Sequence, residues 1–335
     1  MALGWGIIGI GLHADHFMAP AINGAGNARL VAVCSRDRGR ATAFAARHGA
    51  DRSYTDYEAM LRDEAVEVVY VATPNNLHAA QAIEAAKAGK HVFCDKPMAL
   101  VVPDAERMVE TCLQSSVKLG VAFQNRHHPA HVEARRLIAS GAVGQVALAT
   151  AEYSRSLSGP GRSGWRGNPE VAGAGSLMGM GLHPLDLVRF LVGREVETVQ
   201  AFTDEHLPDR LDETILVSLR FQGGAFATVA SSRNYLCPLN DVVIYASQGT
   251  IRGVGTVGMR LAGHLEVIRK EGTSIKEFPG HDTDTGCYQL MVEAFCRSIA
   301  EGREPNASGK DGLEMVRLAQ GLLESSRTGR AVALR

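Results

Sequence analysis

Apolar residues in the first third of the chain come in short runs, at 3–10, 30–34, 66–72, 90–94 and 117–123. Near-continuous apolarity is what a strand needs when both faces of its sheet are covered. Stretches of helical character separate the runs: 17–25, 41–48 with Gly49 as its stop, 56–61, and a segment ending at 88 before Gly89. Asn75 or Asn76 is placed to cap that last helix. Past Pro103, Ala105, Met108, Val109, Cys112 and Leu113 repeat at helical spacing and read as a core-facing stripe. Strand–helix alternation of this kind predicts an open parallel sheet.

The pattern then changes. A helix over 129–140 stops at Gly141, and a strand follows over 145–153. Residues 154–169 are rich in Gly, Ser, Arg and Pro and read as a loop. Alternating strands are expected at 214–221 and 225–231, a hairpin through Gln222-Gly223-Gly224, and again at 242–246, 250–252, 265–269 and 274–278. Helices over 287–300 and 310–326, the second capped by Ser308, close the chain. A length of 335 residues suits two domains, 1–123 and 124–335.

Composition narrows the classes. Hydrophobic residues make up 45% and charged residues 21%, as in a globular protein. A net charge of -1 gives no electrostatic case for nucleic acid or an anionic membrane as partner. No apolar run reaches the length of a membrane span, and with the first strand expected from residue 3 a secretory leader is not expected. The six cysteines (Cys34, Cys94, Cys112, Cys237, Cys287 and Cys296) show no paired zinc spacing. Free thiols in a reducing cytoplasm, with no metal site, are the expectation.

The chemistry gathers after the strands. The first run leads into Gly9-x-Gly11-x-x-Ala14, a dinucleotide fingerprint with Ala in third place. Gly9 permits the tight turn, Gly11 lets the backbone approach a pyrophosphate, and the amides of the following helix face the phosphates. Leu12 and His13 lie inside this stretch. After the second run an acidic residue would select NAD by binding the ribose 2′-hydroxyl. Here stand Ser35 and Arg36, with Arg40 a turn further on; a hydroxyl and guanidinium groups suit a 2′-phosphate. NADP is therefore the expected cofactor, with NAD the alternative. The third and fourth runs end in Thr73-Pro74-Asn75 with His78, and in Asp95-Lys96-Pro97. The fifth ends in Gln124-Asn125-Arg126. All fall where ligands of open parallel sheets bind, beyond the carboxyl ends of the strands. Trp165 and Arg166 sit in the long loop, where they can cover a nucleotide or sugar.

Hydride transfer to a carbonyl leaves an alkoxide that needs a proton, and the reverse reaction needs a base. Lys96 and His183 have the chemistry for that proton. Arg126, Tyr153 and Asp186 are the further candidate contacts to substrate.

The ordered set of the Gly-rich start, Thr73-Pro74-Asn75 with His78, Gly89-Lys90-His91-Val92 and Asp95-Lys96-Pro97 resembles the Gfo/Idh/MocA oxidoreductases over nearly the whole chain. The resemblance implies a Rossmann domain followed by an α/β domain with a large open, mostly antiparallel sheet, the last helix returning to the first domain. It implies oxidation or reduction of a sugar, polyol or related carbonyl at a nicotinamide. It further implies that the open sheet packs against another subunit, giving a dimer or tetramer. Ser35 and the Trp165-Arg166 loop are similar to the 1,5-anhydrofructose reductase and glucose–fructose oxidoreductase branch. In the family a Trp-Arg pair at this point lies near the cofactor. Two positions depart from the family pattern: Asp95 replaces the usual Glu, and Gly179 stands where an Asp four residues before His183 is usual. That second change keeps two alternatives open, a nicotinamide-dependent glycosidase without net redox change and a cofactor-binding sensor without turnover.

Overall fold

The computed structural model describes residues 2–157, 164–204, 211–278 and 285–334. By contacts the chain divides into two units, Met1–Gln124 with Asp284–Val316, and Asn125–Thr283 with Arg317–Arg335. The division thus differs from two continuous stretches meeting at 123/124. The segment from 284 to 316 groups with the first unit, and the boundary falls inside the last helix.

In the first unit six parallel strands form one sheet: β1 (Leu3–Ile8), β2 (Ala28–Cys34), β3 (Arg52–Tyr54), β4 (Val68–Val71), β5 (His91–Cys94) and β6 (Leu119–Val121). Their order, β3-β2-β1-β4-β5-β6, is that of the doubly wound dinucleotide-binding fold, and it reverses between β1 and β4. Five of the six coincide with the apolar runs. β3 is the exception, because its Arg-Ser-Tyr sequence is short, polar and at the sheet edge.

Helices α1 (Ala19–Gly24), α2 (Arg38–His48), α3 (Tyr57–Leu61), α4 (His78–Lys87) and α5 (Val102–Gln114) connect the strands. A π-helical turn, Ala14–Met18, precedes α1. Neither Asn75 nor Asn76 caps α4 as expected. The chain enters through a 3₁₀ turn, Asn75–Leu77, with no side-chain cap at its start or at that of α4.

The second unit holds nine strands: β7 (Val146–Glu152), β8 (Val196–Thr203), β9 (Thr214–Phe221), β10 (Phe226–Ser232), β11 (Val242–Ala246), β12 (Gly249–Val254), β13 (His264–Arg269), β14 (Gly272–Glu277) and β15 (Val332–Ala333). Their order is β14-β13-β12-β11-β7-β10-β9-β8-β15. All neighbours are antiparallel except β7 and β10. β8 and β15 were not legible in the sequence. Helices α6 (Pro129–Ala139) and α8 (Leu182–Val192) pack on one face, with α7 (Pro169–Ala172) before α8. Phe202, Leu216 and Phe226 remain exposed on the adjoining strands β8, β9 and β10, and Tyr245 on β11, beyond β7. α9 (Gly286–Ala300) and α10 (Gly309–Thr328) complete the chain. Ser308 and Asp311 form a reciprocal capping pair at the start of α10. No helix among the described residues is long and apolar enough to cross a membrane.

Candidate active site

The glycine turn after β1 has the form the fingerprint requires. Gly9 has φ +94°, and a Cβ there would lie 2.5 Å from the Ala72 carbonyl, so only glycine fits. Gly11 is different: a Cβ on it would meet nothing within 4 Å. No packing within the chain requires glycine there, and the open space is where a pyrophosphate would approach the backbone. Leu12 is exposed beside it. The His13 ring lies tilted against Phe17 and meets Tyr288 edge-on, with ring centroids 5.4 and 5.3 Å apart. Tyr288 is buried and packs in this cluster.

At the end of β2 the Asp37 carboxylate caps α2, accepting from the Arg40 amide at 2.9 Å. It is therefore committed to the helix start. Arg36, Arg38 and Arg40 are all exposed, and none is ion-paired among the described residues. Arg38 was not singled out in the sequence, although it opens α2 beside the other two. Three arginines and the first amides of α2 make this corner suited to a phosphate.

Beyond β4, Thr73 Oγ1 donates to Gln81 Oε1 (2.6 Å). Asn75 is buried, and Pro74 precedes its 3₁₀ turn. His78 lies inside the protein, with both ring nitrogens against main-chain carbonyls: Nδ1 is 2.8 Å from Pro97 O and Nε2 is 2.7 Å from Thr73 O. Beyond β5 the Lys96 amide donates to Asp95 Oδ1 at 2.8 Å, and the Lys96–Pro97 bond is cis. Desolvation pushes the Asp95 carboxyl up, but the charges of His13, Lys96 and His78 outweigh it and hold the group below the usual carboxylate range. Asp95 thus stays an anion beside Lys96.

In the second unit, Asn125 is buried by its main chain and side chain together. Its Oδ1 accepts from the Gly258 amide (3.1 Å) and its carbonyl from His131 Nδ1 (2.7 Å). Its Nδ2 is buried without a partner among the described residues. Arg126 does not point into open space. It makes a two-pronged, buried ion pair with Asp186 of α8, at 2.8 and 2.6 Å. His183, in the first turn of α8 and 7% exposed, meets the edge of the Tyr153 ring at a centroid distance of 5.6 Å. Burial pushes the Tyr153 phenol up. Gly179 lies in a π-helical turn, Leu177–Gly181, just before α8; it is exposed, and a Cβ there would meet nothing within 4 Å. Asp212 fixes the approach to that turn by accepting from the amides of Gly175 (2.6 Å) and Leu177 (2.8 Å). The expected loop over 154–169 contains a 3₁₀ turn, Gly164–Gly167, in which the Arg166 guanidinium lies 4.3 Å from the centroid of the Trp165 ring. Residues 158–163 of that loop lie outside the described residues. No group of three or more metal-ligating side chains is placed to hold an ion among the described residues.

Comparison with known proteins agrees with the architecture. Residues 3–123 match the oxidoreductase family with an NAD-binding Rossmann fold, and residues 131–252 match the GFO/IDH/MocA C-terminal domain. The chain is 27% identical to 1,5-anhydro-D-fructose reductase of Ensifer adhaerens, over 98% of both chains. It is 29% identical to an NADP(+)-dependent D-xylose 1-dehydrogenase of Haloferax volcanii, again over 98% of both. Among solved structures, the aldose-aldose oxidoreductase of Caulobacter crescentus in complex with glycerol superposes with a TM-score of 0.90, covering all of both chains at 29% identity. The chain belongs to the Gfo/Idh/MocA family of oxidoreductases.

Proposed function

We propose that the protein is a cytoplasmic, NADP-preferring oxidoreductase that moves hydride between the nicotinamide and a sugar, polyol or related carbonyl. The observation that carries the cofactor reading is the corner at the end of β2: Arg36, Arg38 and Arg40 lack ion-pair partners among the described residues, and Asp37 is spent on capping α2. Ser35 adds a hydroxyl beside them. The residues fit a dinucleotide, since the space at Gly11 is open and Gly9 can be nothing but glycine. When bound, the nicotinamide supplies or accepts the hydride. Gly9, Gly11, Leu12, Thr73, Pro74, Asn75, Pro97 and Asn125 bind or orient the dinucleotide, and Trp165 with Arg166 covers it.

Lys96 holds and delivers the proton at the substrate oxygen, and His183 is the second proton-transfer group. Asp95 keeps a negative charge beside Lys96. Tyr153 contacts substrate. Arg126 and Asp186, ion-paired with each other, fix the start of α6 and α8 and remain candidate contacts to substrate. His13 and His78 act by packing and by holding loops. The substrate class rests on the relatives, whose names include reductases and dehydrogenases of sugars. The exposed apolar residues on β8 to β11 support self-association through the open sheet, as dimer or tetramer.

A panel of aldoses, ketoses, anhydro-sugars, inositols and aryl glycosides, followed by the absorbance of reduced nicotinamide and of released aglycone, tests this reading. A bulk change in cofactor redox state with at least one member is the expected result. Cofactor binding with no change on any member would favour a sensor, and release of an aglycone without net change would favour a glycosidase.

A further inference from the structure

His78 opens α4, and its ring fills the gap between two loops. One follows β4 and offers Thr73 O; the other follows β5 and offers Pro97 O, one residue after Lys96. β4 and β5 are neighbours whose pairing runs to Val71 and Cys94, with one more bond from the Asp95 amide to Val71 O. Beyond that bond, the His78 ring bridges the two loops. At 1% exposure no water replaces either contact.

The two contacts together restrict the protons on the ring. A neutral imidazole has one N–H donor and one lone pair. A lone pair 2.7 or 2.8 Å from a carbonyl oxygen is a repulsive contact, and in a buried site nothing relieves it. Both distances are those of hydrogen bonds, and both carbonyls accept only if both nitrogens carry hydrogen. The start of α4 opposes a positive charge there. Two carbonyl dipoles and the Asp95 carboxylate favour it, and the Lys96 ammonium beside that carboxylate opposes it.

We propose that His78 is an imidazolium in the resting protein, and that it is a positioning residue that ties the Pro97 carbonyl to the Thr73 loop and so fixes the place of Lys96. The protonation state rests on the two contact distances; the consequence for Lys96 rests on the functional reading above.

The test is the nitrogen spectrum of the histidine rings in uniformly ¹⁵N-labelled wild-type protein near neutral pH. The His78 signals are assigned by their absence from His78→Gln, or, if that variant does not fold, by ring-proton contacts to Thr73 and Pro97. Both His78 nitrogens should resonate as protonated. One nitrogen at the unprotonated position overturns the proposal, whatever the protein catalyses. In folded His78→Gln, kcat on the best sugar at saturating NADPH should fall about 10²-fold, a larger factor than any rise in the NADPH dissociation constant. An unchanged kcat removes the positioning role. Absence of any wild-type turnover instead removes the oxidoreductase reading, and the ring spectrum still decides the protonation state.

Discussion

Arg126 and Asp186 form a two-pronged ion pair at 2.8 and 2.6 Å, with side-chain exposures of 4% and 1%. Phe190, one turn beyond Asp186, lies under the same guanidinium at 5.3 Å. The pair joins the 3₁₀ turn before α6 to the first turns of α8, the helix that carries His183. Removing one partner strips the other buried charge of this two-pronged contact. Asp186→Ala is therefore expected to cost about 3–5 kcal/mol of stability, read as a lowered urea midpoint. A loss of less than about 1 kcal/mol, within the range of exposed pairs, would contradict the structural role.

The two fingerprint glycines should behave in opposite ways. Gly9→Ala places a Cβ against the Ala72 carbonyl at a left-handed φ, and should cost at least about 1–2 kcal/mol. Gly11→Ala meets nothing in the protein, so its thermal midpoint should match the wild type while NADPH affinity drops. Thermal unfolding alongside fluorescence titration separates the two. An unstable Gly11→Ala would mean that this glycine serves the fold.

Much of this was legible because the physics acts locally. Buried parallel strands need near-continuous apolar sequence, and five of six announced themselves so. β3 did not, since an edge strand of Arg-Ser-Tyr carries no such run. β8 has only a loose alternation, and the two-residue β15 is defined by its partner rather than by its sequence. At the candidate site, strand ends pointed to Lys96 and the glycines, and the family resemblance pointed to His183. What each side chain touches could not be read there: Arg126 and Asp186 lie 60 residues apart, and the partners of His78 are main-chain carbonyls, which have no sequence signature. Arg38 was overlooked although it stands between Arg36 and Arg40.

Cofactor choice follows from the arginine corner. Wild-type protein should bind NADPH more tightly than NADH. Arg36→Ala should lose about 10- to 100-fold of NADPH affinity, the worth of one charge-assisted hydrogen bond, and little NADH affinity. Equal wild-type affinities in fluorescence titrations, or an Arg36→Ala variant with its preference intact, would remove Arg36 from the account.

His131 gives the fold a pH dependence of known sign. Burial, with the neighbouring His128, brings its pKa down to about 3, while its Nδ1–H donates to Asn125 O and its Nε2 faces Thr256 Oγ1. The unfolded chain takes up this proton near pH 6.5; the folded one does so only near pH 3. The neutral ring's contribution is complete above about pH 6.5 and falls as pH drops below it, by up to about 1.4 kcal/mol per unit. Between pH 6.5 and 4 the urea midpoint of His131→Gln should therefore fall less steeply than that of the wild type. Parallel curves would show that His131 is not held neutral.

The account centres on Lys96 as the proton-transfer group of an oxidoreductase, and the comparison of Lys96→Ala with wild type tests it most directly. Turnover is measured by the absorbance of reduced nicotinamide at saturating cofactor, with the best sugar of the panel, and NADPH binding is titrated in both proteins. The account predicts that turnover falls by about 10²–10⁴ while the NADPH dissociation constant is little changed. A folded Lys96→Ala that binds NADPH and turns over at the wild-type rate would contradict it.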